Sequence, residues 1–149
     1  MDRSVKLRHN RRMPNRRDLL KWAACANALT LAAEAAGGLS NAVMDEGSAK
    51  LTHEEFGDQR VYFDGPTPQM KSVTAGSVRL KPGMSPHPPH QHPEEEIMVV
   101  TEGTGEISVE GKVTRVAPGS MMFCAAGKVH GIVNTGKTPL LFYYWKWLA

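Results

Sequence analysis

The chain has 149 residues, enough for one domain around a single hydrophobic core, and its formal net charge is +3. The positive charge comes from the first 21 residues, which hold eight Lys or Arg against two Asp. Residues 1–35 contain 8 of the 18 basic and 3 of the 15 acidic residues. The rest of the chain therefore has 10 basic and 12 acidic residues and is slightly acidic. Nucleic-acid binding needs a basic face on the folded body, so no nucleic-acid partner is expected.

The basic head has the features of an export signal. Arg16 and Arg17 precede two leucines and Lys21, an arrangement that resembles the twin-arginine signal. The Ala-rich apolar run over residues 22–33 follows directly. This run is about a dozen residues, whereas a membrane-spanning helix needs about 20. We therefore expect no stable membrane insertion once the signal is removed.

The signal is predicted to occupy residues 1–35. Residues 33–35, Ala-Glu-Ala, fit a small-x-small cleavage pattern, and the chain starts at either Met1 or Met13, which lies just ahead of the paired arginines. The mature protein is then periplasmic or secreted through the twin-arginine pathway. The alternative is a basic amphipathic helix that stays on the protein.

Residues 36–68 read as a linker followed by an N-terminal strand region. Residues 37–50 are small and polar, which is typical of a linker. Residues 51–60 have a mixed pattern and receive no assignment. Val61–Phe63 is a short β-prone run that ends at a cluster of turn residues over 64–68.

The rest of the chain alternates between short apolar runs and Gly/Pro turns. No helical period appears after residue 36, so the pattern predicts an all-β barrel or sandwich. Glu110-Gly111-Lys112 is predicted to be a tight hairpin turn, and the run from Met121 is predicted to be a central strand. The predicted strands are 73–81, 96–101, 107–109, 113–116, 121–124, 130–134 and the aromatic 140–147.

Four side chains have the composition of a metal site: His90, His92, Glu96 and His130. Three imidazoles and one carboxylate form a borderline-soft donor set, which suits Mn, Fe, Co, Ni, Cu or Zn better than Ca or Mg. His130 follows the other three by more than thirty residues, on what reads as another strand. A metal would therefore connect two distant strands of one barrel.

Spacing alone does not choose the carboxylate. On an extended strand His90 and His92 point to one face, because side chains alternate. If the strand continues past Pro93, both Glu94 and Glu96 share that face. The two glutamates remain rivals on this argument.

Two segments resemble the paired motifs of the cupin superfamily. The segments are Gly83-x6-His90-x-His92-x3-Glu96-x6-Gly103 and Gly119-x5-Ala125-x-Gly127-x2-His130-x3-Asn134. The first segment has one more residue before His90 than the family pattern, and the second has Ala125 where the family prefers Pro. Both departures fall in loops or at strand ends.

The resemblance covers roughly residues 70–147 and implies a small single-domain cupin. It implies a jelly-roll β-barrel over residues 69–149, a homodimer, and Glu96 rather than Glu94 as the carboxylate ligand. Export of a folded chain lets metal load before it meets competing Cu or Zn, which favours Mn or Fe; Ni, Zn and Cu are also compatible.

The resemblance also implies a small-molecule substrate or ligand. Four protein ligands leave coordination positions open, so we expect an enzyme acting on a small polar molecule, with oxygenase chemistry favoured. The alternatives are a non-redox isomerase, decarboxylase or aminohydrolase, and a non-catalytic binder. No general base is assigned; Glu94 and Tyr144 are the weak candidates.

The remaining candidates receive mainly structural interpretations. His87 is expected at the rim of the site, His53 and Glu95 at the surface, and Cys124 in the core, with no disulfide in the mature chain. The aromatic tail is expected to bury one face in the barrel or against a second subunit, although one of its aromatic side chains could line the pocket. Four methionines are expected to fill the core or a pocket wall, with the core favoured: Met84, Met98, Met121 and Met122.

Overall fold

The computed structural model describes residues 38–149, so the predicted signal segment lies outside the described residues. Every regular element in this part of the chain is a β-strand. Residues 38–149 contain no helix long and apolar enough to cross a membrane. The strands are β1 (Lys50–Glu54), β2 (Gly57–Gly65), β3 (Ser72–Leu80), β4 (Glu95–Glu102), β5 (Gly105–Val109), β6 (Lys112–Val116), β7 (Met121–Cys124), β8 (His130–Val133) and β9 (Leu140–Leu148).

The strands form two antiparallel sheets. One has six strands in the order β1-β2-β3-β9-β4-β7, and the other has three in the order β6-β5-β8. Even-numbered side chains of β3, β4, β7 and β9 point between the sheets, because neighbouring side chains on a strand alternate. The predicted all-β jelly-roll barrel is confirmed. Its core contains Val78, Leu80, Met98, Val100, Met122, Cys124, Phe142 and Tyr144, with Ile107 and Ile132 facing them.

The N-terminal strands are longer than the sequence pattern indicated. β2 spans nine residues rather than the three of Val61–Phe63, and the unassigned stretch 51–60 forms most of the β1–β2 hairpin. His53 lies on this hairpin, exposed as expected, with its Nδ1 2.8 Å from Asp58 Oδ1. Residues 38–49 contain no strand, yet the N–H of Leu39 donates to Pro66 O at 2.8 Å.

The run Met121–Cys124 is an edge strand, so its prediction as a central strand is wrong. Met121 is 69% exposed and Phe123 58% exposed, whereas Met122 and Cys124 are buried. Met121 is therefore not a core residue, contrary to the expectation. The reason is alternation: a strand whose sheet is covered on one face buries only every second side chain.

The turn between β5 and β6 is the predicted hairpin. Its two loop residues, Glu110 and Gly111, have φ of 49° and 79°. Positive φ at both positions is the geometry that matches the twist of the flanking strands. The Glu110 carboxylate also accepts a hydrogen bond from the N–H of Val129 at 2.9 Å, so the turn is tied to the chain just before β8.

Asn134, the last residue of the second motif, connects the end of β3 to the loop between β8 and β9 from a fully buried position. Its Nδ2 donates to Leu80 O at 3.1 Å and to Thr138 O at 2.9 Å. Its Oδ1 accepts from the N–H of Gly136 at 2.9 Å. The side chain thereby satisfies backbone groups that would otherwise be buried without partners.

Replacing Asn134 by Ala should destabilise the barrel by about 2–4 kcal/mol, since each polar group left buried and unpaired costs about 1–3 kcal/mol. Urea denaturation measures the loss. The exposed Asn41→Ala is the matched control and should change the free energy of unfolding by less than about 0.5 kcal/mol. Equal stability of the two variants would contradict the assigned role.

Candidate metal centre

The two motifs are joined by their backbones. His90 and His130 exchange N–H···O hydrogen bonds of 2.9 Å in each direction, which places the loop after β3 beside β8. The N–H of Gly127 donates to His92 O at 2.8 Å. Backbone pairing therefore brings the histidines together independently of any ligand.

Glu96 reaches the site by its position on β4. The strand begins at Glu95, and residues 91–94 are not in a strand, so the assumption of one continuous strand past Pro93 is wrong. Glu96 is 5% exposed because it has the inward register of β4. Glu94, by contrast, lies in the loop. Glu96 therefore lies beside the histidine rings because of its register on β4, and not because it shares one strand with His90 and His92.

Backbone carbonyls determine the tautomers of two histidines. His92 Nδ1 is 3.0 Å from Glu94 O, and His130 Nδ1 is 3.0 Å from Lys128 O. A carbonyl only accepts, so in both rings Nδ1 carries a proton and donates it. In the neutral ring, Nε2 is then left with a lone pair.

Both Nε2 atoms face the same oxygen. Glu96 Oε2 lies 3.1 Å from His92 Nε2 and 2.8 Å from His130 Nε2. Lone pairs pointing at a carboxylate oxygen repel unless a cation lies among them. Bonds of about 2.0–2.2 Å from one ion to each donor would allow neighbouring donors to lie about 3 Å apart. The observed separations fit a divalent ion.

His90 completes a set of three. Donor atoms of His90, His92 and His130 lie within 4.8 Å of one another, a grouping able to hold a metal ion. His90 Nδ1 is buried and has no hydrogen-bond partner within residues 38–149. A buried polar atom without a partner is costly, and coordination is one way to satisfy it.

The protonation states follow from burial and neighbours. Burial raises the pKa of Glu96, but hydrogen bonds from His130 and His92 outweigh it and leave that pKa below its ordinary value. The hydrogen bond to Glu96 raises the pKa of His130. Burial, together with three neighbouring histidines, lowers the pKa of His90. Without metal, a proton between Glu96 and His130 competes for the place of the ion.

Two further residues hold the rings in position. Glu94 Oε2 is 3.3 Å from His92 Nδ1, so the rival glutamate orients the ring through its side chain as well as its carbonyl. Cys124 is buried as predicted, and its Sγ lies 3.4 Å from His130 Nδ1. Burial raises the pKa of its thiol, which therefore stays protonated. The contact with His130 was not anticipated from the sequence.

A cavity of about 180 Å³ lies beside the histidines, between the two sheets. Tyr144 lines it, whereas Tyr143 and Trp145 are on the opposite face of β9. The hydroxyl oxygen of Tyr144 accepts a hydrogen bond from Gln59 Nε2 at 3.0 Å. A side chain at Gly76 would lie 2.5 Å from the Tyr144 ring, so glycine provides the room for this phenol.

His87 is exposed at the rim, as expected, with its ring centroid 3.8 Å from that of His90. It also borders a larger groove, about 580 Å³, on the outer face of the three-stranded sheet. That groove contains none of the four candidate ligands. The smaller cavity is therefore the functional candidate, because three of the four candidate ligands, His90, His92 and Glu96, line it.

Two cavity residues were missed by sequence reasoning: Gln59 and Lys146. Gln59 lies within residues 51–60, for which the sequence pattern predicted no structure, so nothing in the sequence indicated that it lines the cavity. Lys146 follows Tyr144 at a spacing of two in an otherwise apolar strand, and this polar interruption could have indicated it.

Comparison with known proteins agrees with this geometry. Residues 76–146 match the family described as Cupin domain. No curated protein sequence matches significantly. Among solved structures, an RmlC-like cupin from Shewanella frigidimarina is 17% identical, with 74% of this chain and 93% of that chain covered and a TM-score of 0.61.

Two other similar solved structures belong to proteins named for different activities. The polyketide cyclase RemF from Streptomyces resistomycificus is 21% identical, covering 72% of this chain and 79% of that one, with a TM-score of 0.59. A predicted oxalate decarboxylase from Thermotoga maritima is 22% identical, covering 72% and 100%, with a TM-score of 0.57. The chain has a cupin-like β-barrel fold, and residues 76–146 are similar to the cupin domain family. The fold does not determine the reaction.

We expect the metal-free protein to bind one divalent ion per chain, measured by Zn²⁺ competition with a chromogenic chelator. Glu96→Gln and His130→Ala should each weaken binding by about 100-fold or more, since loss even of a residue that only supports a ligand costs about 10–100-fold. Glu95→Gln and His53→Ala are the matched controls and should leave the affinity unchanged. Wild-type affinity in both site variants would place the metal elsewhere.

Proposed function

We propose that this protein is a metal-dependent single-domain cupin enzyme acting on a small polar molecule. The proposed ligands are His90, His92, Glu96 and His130. One observation carries the proposal: two imidazoles, fixed by backbone carbonyls, turn their Nε2 atoms to the same Glu96 oxygen, at 3.1 and 2.8 Å. Without a metal, this contact is favourable only if one of the rings is protonated, as the raised pKa of His130 indicates; a divalent ion would satisfy all three donor atoms.

The proposed metal is Mn or Fe, with Ni, Zn and Cu also compatible. Three imidazoles and a carboxylate suit all of these ions, so the donor set alone does not choose among them. The preference comes from the proposed export of the folded protein, which would allow loading in the cytoplasm before Cu or Zn is met. The periplasmic or secreted location is part of the same proposal.

The bound ion and the side chains of the cavity would each supply part of the proposed chemistry. A bound divalent ion would supply a Lewis-acid centre and, if redox-active, electron transfer to or from the substrate. Tyr144 faces the cavity; burial raises the pKa of its phenol, so it keeps its proton and can donate a hydrogen bond to a substrate oxygen. Glu94 is not among the cavity-lining residues, so we assign it the positioning of His92.

Oxygenase-type chemistry is the favoured reaction class. A cavity walled by Val78, Met98 and Phe142 can hold the body of an organic substrate next to the metal ligands. The same arrangement serves non-redox isomerisation, decarboxylation or deamination, or retention of a ligand without turnover. The experiment below is designed to separate these outcomes.

Protein reconstituted anaerobically with Fe²⁺ or Mn²⁺ should consume oxygen with at least one member of a panel of catechols, flavonols and enol-acids, as measured with an oxygen electrode. Glu96→Gln should lower the rate at least about 100-fold through metal loss, and Glu95→Gln should not. Product formed without oxygen uptake would favour the non-redox enzymes. No turnover by any metal form, with tight retention of a small molecule, would favour the binder.

We also propose that the protein is a homodimer, as the resemblance to cupins implies. The outer face of the six-stranded sheet supports this. Met121 and Phe123 of β7 lie opposite Val99 and Ile97 of β4, and Ile97 lies opposite Trp145 of β9. Phe123 and Trp145 are 58% and 42% exposed. A continuous exposed apolar face of this kind is typical of a protein interface.

Phe123→Lys should convert a dimer to a monomer, because it places a charge within the apolar face. Sedimentation at micromolar concentration measures the mass. Val113→Lys is the matched control: Val113 is equally exposed, at 58%, but lies on the three-stranded sheet. A wild-type monomer, or a Phe123→Lys dimer, would refute the proposed interface.

A further inference from the structure

Lys146 is a cation in the cavity that the proposed metal chemistry does not use. It lies on β9, directly opposite Glu96 of β4 and on the same inward face as Tyr144. It is half-buried and lines the cavity beside the histidines. Half-burying an ammonium group is unfavourable unless an anion compensates it.

The described part of the chain places no carboxylate in ion-pair contact with Lys146, although Glu96 lies opposite it on β4. Lys146 belongs to none of the ion pairs formed within residues 38–149. The two acidic groups that act on the neighbouring Tyr144 have other partners. Glu96 contacts His92 and His130, while Asp64, on β2, accepts a hydrogen bond from Thr74 Oγ1 at 2.7 Å. Lys146 is therefore left to pair with something that enters the cavity.

Tyr144 adds a second polar group on the same strand face. Its oxygen accepts from Gln59 Nε2, so the hydroxyl hydrogen is free to be donated. Burial is the largest influence on its pKa and raises it, and the negative charges of Glu96 and Asp64 raise it further. The phenol is thus a neutral donor two residues from a cation, a pairing suited to an anionic oxygen group.

The remaining walls define the rest of the ligand. Val78, Met98 and Phe142 are buried apolar residues that line the cavity. Its volume, about 180 Å³, is below the roughly 300–1,000 Å³ of sites for drug-sized molecules. The cavity therefore suits a small molecule with one charged end and an apolar body.

We infer that the cavity selects a small organic anion, with its anionic oxygen group paired to Lys146 and Tyr144 and its apolar body against Val78, Met98 and Phe142. This inference rests on the proposed function, because it names the substrate class of the same cavity. A lysine that merely kept the cavity rim soluble would not discriminate by ligand charge.

Salicylate and salicylamide are suitable probes, since they share a ring and a hydroxyl group and differ in charge. Calorimetric titration of the Zn²⁺-loaded and metal-free full chain should show salicylate binding at least about tenfold more tightly, as expected for a charge-assisted hydrogen bond. Lys146→Met should bring the two affinities together, and Tyr144→Phe should weaken salicylate binding about threefold or more.

Two variants guard against a purely structural effect. Lys146→Arg keeps the charge and should keep the preference for salicylate. Lys112→Met removes an exposed lysine of β6 and should leave the preference unchanged. Thermal unfolding of each variant shows whether it is folded.

The outcomes separate this inference from the proposed function. Equal affinities for the two probes in the wild type, no binding of either, or a preference that survives Lys146→Met would each overturn the inference. Metal binding at one ion per chain alongside such a result would leave the proposed metal function standing. Failure to bind metal would refute the proposed function, whereas a Lys146-dependent preference in the metal-free protein would still establish anion recognition.

Discussion

The arrangement of this site depends on one oxygen atom. Glu96 Oε2 lies within 3.1 Å of the Nε2 atoms of His92 and His130, and each neutral ring donates its single proton, on Nδ1, to a backbone carbonyl. Neither ring can relieve the repulsion by changing tautomer, because that would break its carbonyl hydrogen bond. The site therefore requires a positive charge at its centre, and the fold supplies the place for it without supplying the charge.

This constraint also explains why the site joins the two sheets. Glu96 belongs to the six-stranded sheet and His130 to the three-stranded one. The reciprocal hydrogen bonds between His90 and His130 attach the β3–β4 loop to β8 at this end of the barrel. Toward the loops at the other end of β3 and β8, Asn134 performs a similar task by hydrogen-bonding to Leu80 and Thr138. The cavity lies between two walls that are held apart at defined distances.

The fold and the three histidines could be predicted from the sequence because the cues were local. Turn residues, alternating strands and His-x-His spacing each depend on a few neighbouring residues. The carboxylate was different: alternation left Glu94 and Glu96 as rivals, and its premise of a continuous strand was wrong. Only the resemblance to the cupin motif chose Glu96, which the register of β4 places beside the rings. The role of Glu94 as a support for His92 depends on the loop conformation at Pro93.

The exposure of Met121 and the contact between Gln59 and Tyr144 could not be predicted, because both depend on which strands are neighbours in the sheet. Met121 and Met122 are chemically identical, and only the position of β7 at a sheet edge decides that the first is exposed and the second buried. Gln59 meets Tyr144 across β3, a contact between residues 85 positions apart. No local pattern encodes such a pairing, because it follows from the strand order of the complete sheet.

One strand carries both proposed functions through simple alternation. Even-numbered residues of β9, including Tyr144 and Lys146, face the cavity, while Tyr143 and Trp145 face outward on the apolar sheet surface. A shift of one residue in register would exchange the cavity-facing and outward-facing side chains of β9. The long pairing of β9 with β3 and β4 prevents such a shift and so keeps each set on its own face. Packing a second subunit against the outer set would restrain the same backbone that positions the inner set. In the proposed dimer, assembly and ligand selection would therefore be mechanically linked, although no residue belongs to both surfaces.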